Sequence, residues 1–250
     1  EKKVSELKNQ QVLLLENLRF YEAEENPDKD PEFAKQLASL ADIYVNDAFG
    51  TAHRKHSSTY TITEYFPGKA AAGLLMEKEI HYLTQCIENP EKPFYAILGG
   101  AKISTKIGVV KNLIKRVDAI FIGGGMAYTF FKAQGKSIGN SIYEQEEVDN
   151  VKPLLEEEKL HLPEDILIAD QINENAHTKT ITADKDIPDG WEGVDIGPKT
   201  IEKWTESLQN AALVFWNGPL GIFEIKKFAE GTNKIAQFLA SLSAKTIVGG

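Results

Sequence analysis

The chain has 250 residues, 42% of them hydrophobic, enough for one large or two ordinary domains with real cores. A formal net charge of −9 argues against nucleic acid as the main partner, so any cations that hold an anion must be concentrated locally. A single cysteine, Cys86, excludes a disulfide framework, no run approaches the ~18 apolar residues of a membrane span, and the Glu-Lys-Lys opening does not read as a signal peptide.

In chain order, Val12 to Leu15 reads as a short apolar strand running into Glu16-Asn17-Leu18-Arg19-Phe20. Pro31 to Leu40 is helical, with Phe33, Leu37 and Leu40 on one face, and Ile43 to Val45 is a second strand. It ends in Asn46-Asp47-Ala48-Phe49-Gly50-Thr51-Ala52-His53-Arg54, where the densest cationic run, His53-Arg54-Lys55-His56, begins. Leu74 to Ile87 is a helix with Leu75, Ile80, Leu83 and Ile87 along one stripe, and Cys86 on it reads as a small apolar contact. Two prolines in the polar run Asn89 to Pro93 mark a boundary.

Beyond that boundary strands and helices alternate. Strand 94–98 leads to helix 103–117, and strand 119–122 leads through Gly123-Gly124-Gly125 to helix 126–134. Glu144 to Leu160 is an acidic helix, Ile166 to Ala169 a strand, and Thr178 to Ala183 an edge or antiparallel strand. Helix 199–209, strand 212–216, amphipathic helix 229–242 and strand 246–248 complete the pattern. Such alternation predicts a parallel sheet covered on both faces.

Glycine-rich turns at Gly99-Gly100, at Gly123 to Gly125, from Gly218 to Gly221 and at Gly249-Gly250 each follow a strand. In an open α/β sheet the carboxyl ends of the strands form the ligand crevice, so these turns would let backbone approach a mononucleotide. The first is the richest in chemistry. A helix opening just after Gly99-Gly100 would aim free N–H groups at an anion, with Lys102 and Lys106 on one face of its first turn. The spacing is not that of a P-loop, and neither the Gly-x-Gly-x-x-Gly pattern nor a ribose-reading acid for NAD is present. The alternative for this segment is a plain glycine turn with two solvated lysines. No zinc spacing occurs, and His81, His161 and His177 are isolated and read as structural or surface residues.

At Trp216-Asn217-Gly218-Pro219-Leu220-Gly221-Ile222-Phe223-Glu224 the sequence resembles phosphoglycerate kinase, as it does at Gly99-Gly100-Ala101-Lys102 and from Asn46 to Arg54. The likeness extends through Leu14 to Phe20, Ala72 to Glu79 and Gly123 to Ala127, in the family's order. It implies two Rossmann-like parallel-sheet α/β domains joined by a helix. Residues 1–75 would be a partial, incomplete 3-phosphoglycerate domain, 76–92 the joining helix and linker, and 93–250 the nucleotide domain, cut short at its C-terminus. The family continues Gly-Asp-Ser/Thr where this chain stops at Gly249-Gly250, and Thr105 stands where many members have Asp. The resemblance also implies Mg2+ carried with ATP or ADP, no protein metal cluster, small-molecule partners only, a monomer without nucleic acid or membrane, and a cytoplasmic location.

The implied reaction moves a phosphoryl group between ATP and the carboxylate of 3-phosphoglycerate. A carboxylate is already ionised at neutral pH, so the nucleophile needs no general base; positioning and charge stabilisation remain. The resemblance assigns Lys102 and Arg19 to catalysis, and Arg19, His53 and Arg54 to the substrate, the arginines suiting a phosphate through their planar fork. On residues alone, Arg19 could equally pair with Glu16 or Asp47. For the nucleotide it implies Gly99, Gly100, Ala101, Lys102, Lys106, Gly123, Gly124, Gly193, Val194, Asn217, Pro219, Ile222, Glu224, Gly249 and Gly250, with Glu224 accepting from the ribose. An inactive nucleotide-binding fragment and an NAD-dependent oxidoreductase are the competing readings. The missing fingerprint counts against the second.

Overall fold

The structure is a computed structural model that describes residues 2–249, without the side chains of 85–87; the readings of Gly250, Cys86 and Ile87 therefore lie outside the described residues. The chain divides into two compact units, Glu1–Gln85 and Cys86–Gly250.

In the first unit, helix α1 (Pro31–Ala38) starts where expected. Asp30 accepts the Glu32 N–H at 3.1 Å, and Pro31 occupies a first-turn position where no N–H is needed. Its Ala38 packs with Ile62 and Phe66 in a small core flanked by Leu37 and Tyr44. Strand β1 (Tyr44–Asn46) pairs in parallel with β2 (Ala70–Ala72), and these two strands are the unit's whole described sheet. The strand expected at Val12 to Leu15 is not formed: Val12 is 92% and Leu14 91% exposed. An apolar run becomes a strand only where a neighbour completes its hydrogen-bond ladder, and neither β1 nor β2 takes this one. Helix α2 (Leu74–Glu88) runs across the division between the units. Leu75 and Ile80 on its expected apolar stripe are about half exposed, and among its described side chains Met76 is the one that is buried. The Met76 N–H is tied to Asp47 at 2.9 Å.

The second unit carries strands β3 (Phe94–Leu98), β4 (Ala119–Ile122), β5 (Leu160–His161), β9 (Leu213–Asn217) and β10 (Lys245–Gly249) in one parallel sheet, ordered β10-β9-β3-β4-β5. Its central strands β3 and β4 are buried on both faces, as parallel strands under helices must be, whereas the edge strand β10 is largely exposed. Phe94, Ala96 and Leu98 join one core with α3 (Ile107–Leu113) and α4 (Met126–Ala133). Ile97, Phe121, Val214 and Trp216 face the other way, onto Trp204 of α5 (Pro198–Leu208) and Ile235 and Leu239 of α6 (Glu230–Ser241). A second, antiparallel sheet has order β7-β6-β8, from β6 (Asp165–Ala169), β7 (Thr178–Thr182) and β8 (Glu192–Ile196). Thr178 to Ala183 thus takes the edge, antiparallel position its alternation suggested. Strand β8 had no counterpart in the sequence reading.

Two helices differ from expectation. The one placed over 103–117 is only α3, because residues 99–106 form a loop. Gly100 turns at φ +103°, Ile103 is buried, and Ser104 is held by Glu144 from forty residues away. The acidic helix over 144–160 breaks into a 3-10 turn Gln145–Glu147, one helical turn Val148–Val151 and a second 3-10 turn Lys152–Glu156. Pro153 has no N–H to continue the ladder. No helix among the described residues is long and apolar enough to cross a membrane.

Candidate active site

Because β3, β4, β9 and β10 are parallel, their glycine turns meet at the sheet's carboxyl edge. The turns are laced together through their backbones. Gly99 N–H donates to Asn217 O at 2.9 Å, Gly100 N–H to Pro219 O at 2.8 Å, and Gly218 N–H to Gly249 O at 3.0 Å. Gly124 adds a bond to Leu220 O at 3.1 Å. Gly124 sits at φ +66°, and a Cβ there would lie 2.6 Å from Gly100 N and 2.8 Å from Pro219 O. The absent side chains therefore admit neighbouring backbone, a use the sequence reading assigned to a ligand alone.

Beside these turns lies a cleft of about 310 Å3. Gly100, Ala101, Gly124, Gly193, Val194, Pro219, Ile222 and Glu224 line it, all of them singled out from sequence. Gly125, Leu220 and Gly221 also line it, from the glycine turns and the 216–224 segment read from sequence, as do Tyr128, Ile142, Ile172 and Glu192, which were not singled out. Tyr128, on the first turn of α4, could have been found from its place just past the Gly123 to Gly125 turn. Ile142 and Ile172 come from loops whose sequences carry no signal. Gly99, Lys102, Lys106, Gly123, Asn217 and Gly249 are not part of this lining. Gly123 and Gly99 sit under it, where added side chains would strike Leu220 and Pro219 respectively.

Apart from backbone and the Tyr128 hydroxyl, the polar groups of the lining are the carboxylates of Glu192 and Glu224, which as carboxylates only accept hydrogen bonds. Burial pushes the Glu192 carboxyl above the usual range. Tyr128 is buried against Gly193, which has no room for a Cβ beside the Tyr128 ring, and burial with the nearby Asp195 and Glu192 charges raises its hydroxyl pKa. Beneath the wall, Asp195 is buried and accepts N–H bonds from Gly231 at 2.7 Å and Ile196 at 2.9 Å. Burial still pushes its carboxyl up to about 7. Asp165 is the strand β6 counterpart, capping α5 by accepting from Thr200 N–H at 2.7 Å and Lys199 N–H at 3.1 Å.

The two lysines do not share a helical face, since α3 opens only at Ile107. Lys106 instead folds back, donating to Gly99 O at 2.6 Å and Asn217 O at 3.3 Å, and burial lowers its ammonium pKa. Lys102 is exposed on the loop. The loop's own anion is Glu144, which accepts the Ser104 N–H at 2.8 Å and hydroxyl at 2.5 Å. Burial opposes its ionisation, but the Ser104 and Ile103 hydrogen bonds and the Lys102 charge outweigh that and hold its carboxyl low. Thr105 donates its hydroxyl to Lys102 O at 3.1 Å.

In the first unit, Arg19 pairs with neither Glu16 nor Asp47 but with Glu25, at 3.4 Å, and its side chain is well exposed. Arg54 contacts the neighbouring His53 ring at 3.4 Å. His56, at the end of the cationic run, is buried beside Glu24, whose carboxylate takes the Ser58 hydroxyl at 2.6 Å. Three residues of the run thus face solvent and the fourth, His56, is structural. Among the described residues no three His, Cys, Asp or Glu side chains come together as metal ligands.

Fold and cleft together define a Rossmann-like α/β protein with a cleft at the carboxyl edge of a parallel sheet. The family model described as phosphoglycerate kinase matches residues 1–250, and the chain belongs to that family. It is 51% identical to a cytosolic phosphoglycerate kinase of Nicotiana tabacum and 49% identical to a phosphoglycerate kinase of Limosilactobacillus reuteri, over all of its own length. It covers 63% and 64% of those two proteins. The phosphoglycerate kinase structure from Coxiella burnetii superposes with a TM-score of 0.78 at 40% identity, over 96% of this chain and 62% of that one. The Pyrococcus horikoshii structure gives a TM-score of 0.83 at 31% identity, over 100% of this chain and 65% of that one.

Proposed function

We propose that the protein is a carboxyl-acceptor phosphotransferase, moving a phosphoryl group reversibly between ATP and 3-phosphoglycerate, in the cytoplasm and as a monomer. Residues 93–250 hold the nucleotide, residues 1–75 hold the phosphoglycerate, and 76–92 join them. The observation that carries this reading is the family match over the whole chain, joined to a largely apolar cleft at the carboxyl edge of the sheet.

In this reading the nucleoside lies between the Tyr128–Ile142 wall and the Pro219–Ile222 turn, and Glu224 accepts from the ribose hydroxyls. The phosphates run out past Gly100 and Ala101 toward Lys102, whose exposed ammonium is free to follow the charge that develops on the transferring group. Lys106 serves the site by clamping the β3 and β9 turns, with its remaining N–H capacity toward the phosphates. The glycerate carboxylate attacks without a base, and Arg19, Arg54 and His53 hold its phosphate. Mg2+ comes with the nucleotide rather than with the chain, where it would neutralise phosphate oxygens.

A coupled assay with Mg·ATP and 3-phosphoglycerate tests this, comparing the wild type with Lys102→Ala. The reading predicts turnover that falls ~10²–10³-fold in the variant at little cost in KM. A folded protein completed to the full length of its relatives that turns over no 3-phosphoglycerate would refute it.

A further inference from the structure

Glu192 is the one carboxylate that β8 itself presents to the cleft, and the sequence reading did not single it out. Its backbone is fixed on both sides. It pairs with Ala169 on β6, Asn140 N–H donates to Trp191 O at 2.8 Å, and Gly193 N–H donates to Ser141 Oγ at 2.9 Å. The surrounding wall is apolar, made by Tyr128, Ile142, Ile172 and Val194, which suits a planar base and not a phosphate. Among the described residues, no hydrogen bond or ion pair engages the Glu192 carboxylate. A half-buried acceptor pair left this way gains most from a ligand that brings its own donors.

Purine bases differ in what they offer such a group. Guanine presents its ring N1–H and its exocyclic amine side by side, two parallel donors for the two carboxylate oxygens. Adenine presents one amine beside a bare ring nitrogen, whose lone pair would face the second oxygen. A site with a buried acceptor discriminates strongly against a ligand that leaves it unpaired.

We propose that Glu192 sets the nucleobase preference of the cleft and makes the protein favour guanine over adenine nucleotides. This rests on the reading of the cleft as a nucleotide site. It adds a specificity determinant in which Glu224 serves the ribose and Glu192 the base.

The test is calorimetric titration of the protein with GDP, IDP and ADP, repeated on Glu192→Gln, with circular dichroism confirming that both are folded. GDP is expected to bind at least ~10-fold more tightly than ADP, the discrimination typical of one bidentate base contact. IDP, which keeps N1–H and lacks the amine, should fall between them. In Glu192→Gln the GDP-to-ADP ratio should collapse to within about threefold, since the amide offers one acceptor where the carboxylate offers two. Equal or tighter binding of ADP by the wild type, or a GDP preference that survives in Glu192→Gln, would overturn the assignment while leaving the nucleotide site standing. A folded protein that binds none of the three would overturn both.

Discussion

The two units use similar sequence material very differently. In Cys86–Gly250, short apolar runs such as Phe94 to Leu98 become central strands, buried on both faces between helices. In Glu1–Gln85, runs of like composition stay outside: Val12, Leu14, Phe20 and Ile43 are largely exposed around a small core of Ala38, Ile62 and Phe66. Apolar composition alone therefore does not make a core; a strand needs neighbours for its ladder and helices for its faces. The same contrast runs through the charged residues. Lys106 and Asp195 in the second unit are drawn into the packing, and their ionisation is perturbed by burial. Arg19 and Arg54 in the first unit remain at the surface with single partners.

The largest effect should come from cutting into the better-packed unit. Phe121, 1% exposed, packs against Trp204 at 5.2 Å between ring centroids, and Phe121→Ala should cost about 3–5 kcal/mol. Denaturant unfolding followed by tryptophan fluorescence reads this directly, because Trp191, Trp204 and Trp216 all lie in that unit. Phe20→Ala, at a position 75% exposed, should shift unfolding by less than about 0.5 kcal/mol. Comparable losses at both positions would erase the contrast.

Gly124→Ala comes next. A side chain at its positive φ is strained, and its Cβ would meet Gly100 and Pro219 backbone, so a loss of about 1–3 kcal/mol is expected, together with weaker nucleotide binding. Thermal melts with and without Mg·ADP separate the two losses.

Asp195 sharpens the comparison through pH. Its folded pKa is about 7 against an ordinary 3.8, so the unfolded chain gives up its proton first. The protonated carboxyl favours the fold fully below the unfolded value, and that contribution disappears as pH rises through about 7. Asp195→Asn cannot ionise. Its stability relative to wild type should therefore rise by about 4 kcal/mol between acid and neutral pH. A wild-type-to-variant difference that stays flat with pH would mean the carboxyl is not held against ionisation. At the small end, Lys102→Ala should leave stability within about 0.5 kcal/mol, because the side chain is exposed.

What the sequence made legible follows the same division. Strands 94–98 and 119–122, the glycine turns after them and the family's loop at 216–224 are local patterns, and they could be read because local residues decide them. The loop at 99–106 could not, since it depends on Glu144 reaching Ser104 across the fold. Strand β8 was missed because Glu-Gly-Val-Asp-Ile neither alternates nor forms an apolar run; it is a strand because β6 lies beside it. The cleft wall of Tyr128, Ile142, Ile172 and Glu192 shares that origin, since its residues come from separate elements. Val12 to Leu15 erred in the opposite direction, a local pattern that found no neighbour.

The central claim is that the nucleotide binds at the carboxyl edge of the second unit's sheet. Backbone hydrogen exchange, measured with and without saturating Mg·ADP, tests it most directly. The account predicts added protection in segments 99–101, 124–128, 192–194 and 219–224, and little change across residues 2–75. Protection that falls elsewhere, or none in the presence of bound nucleotide, would contradict it.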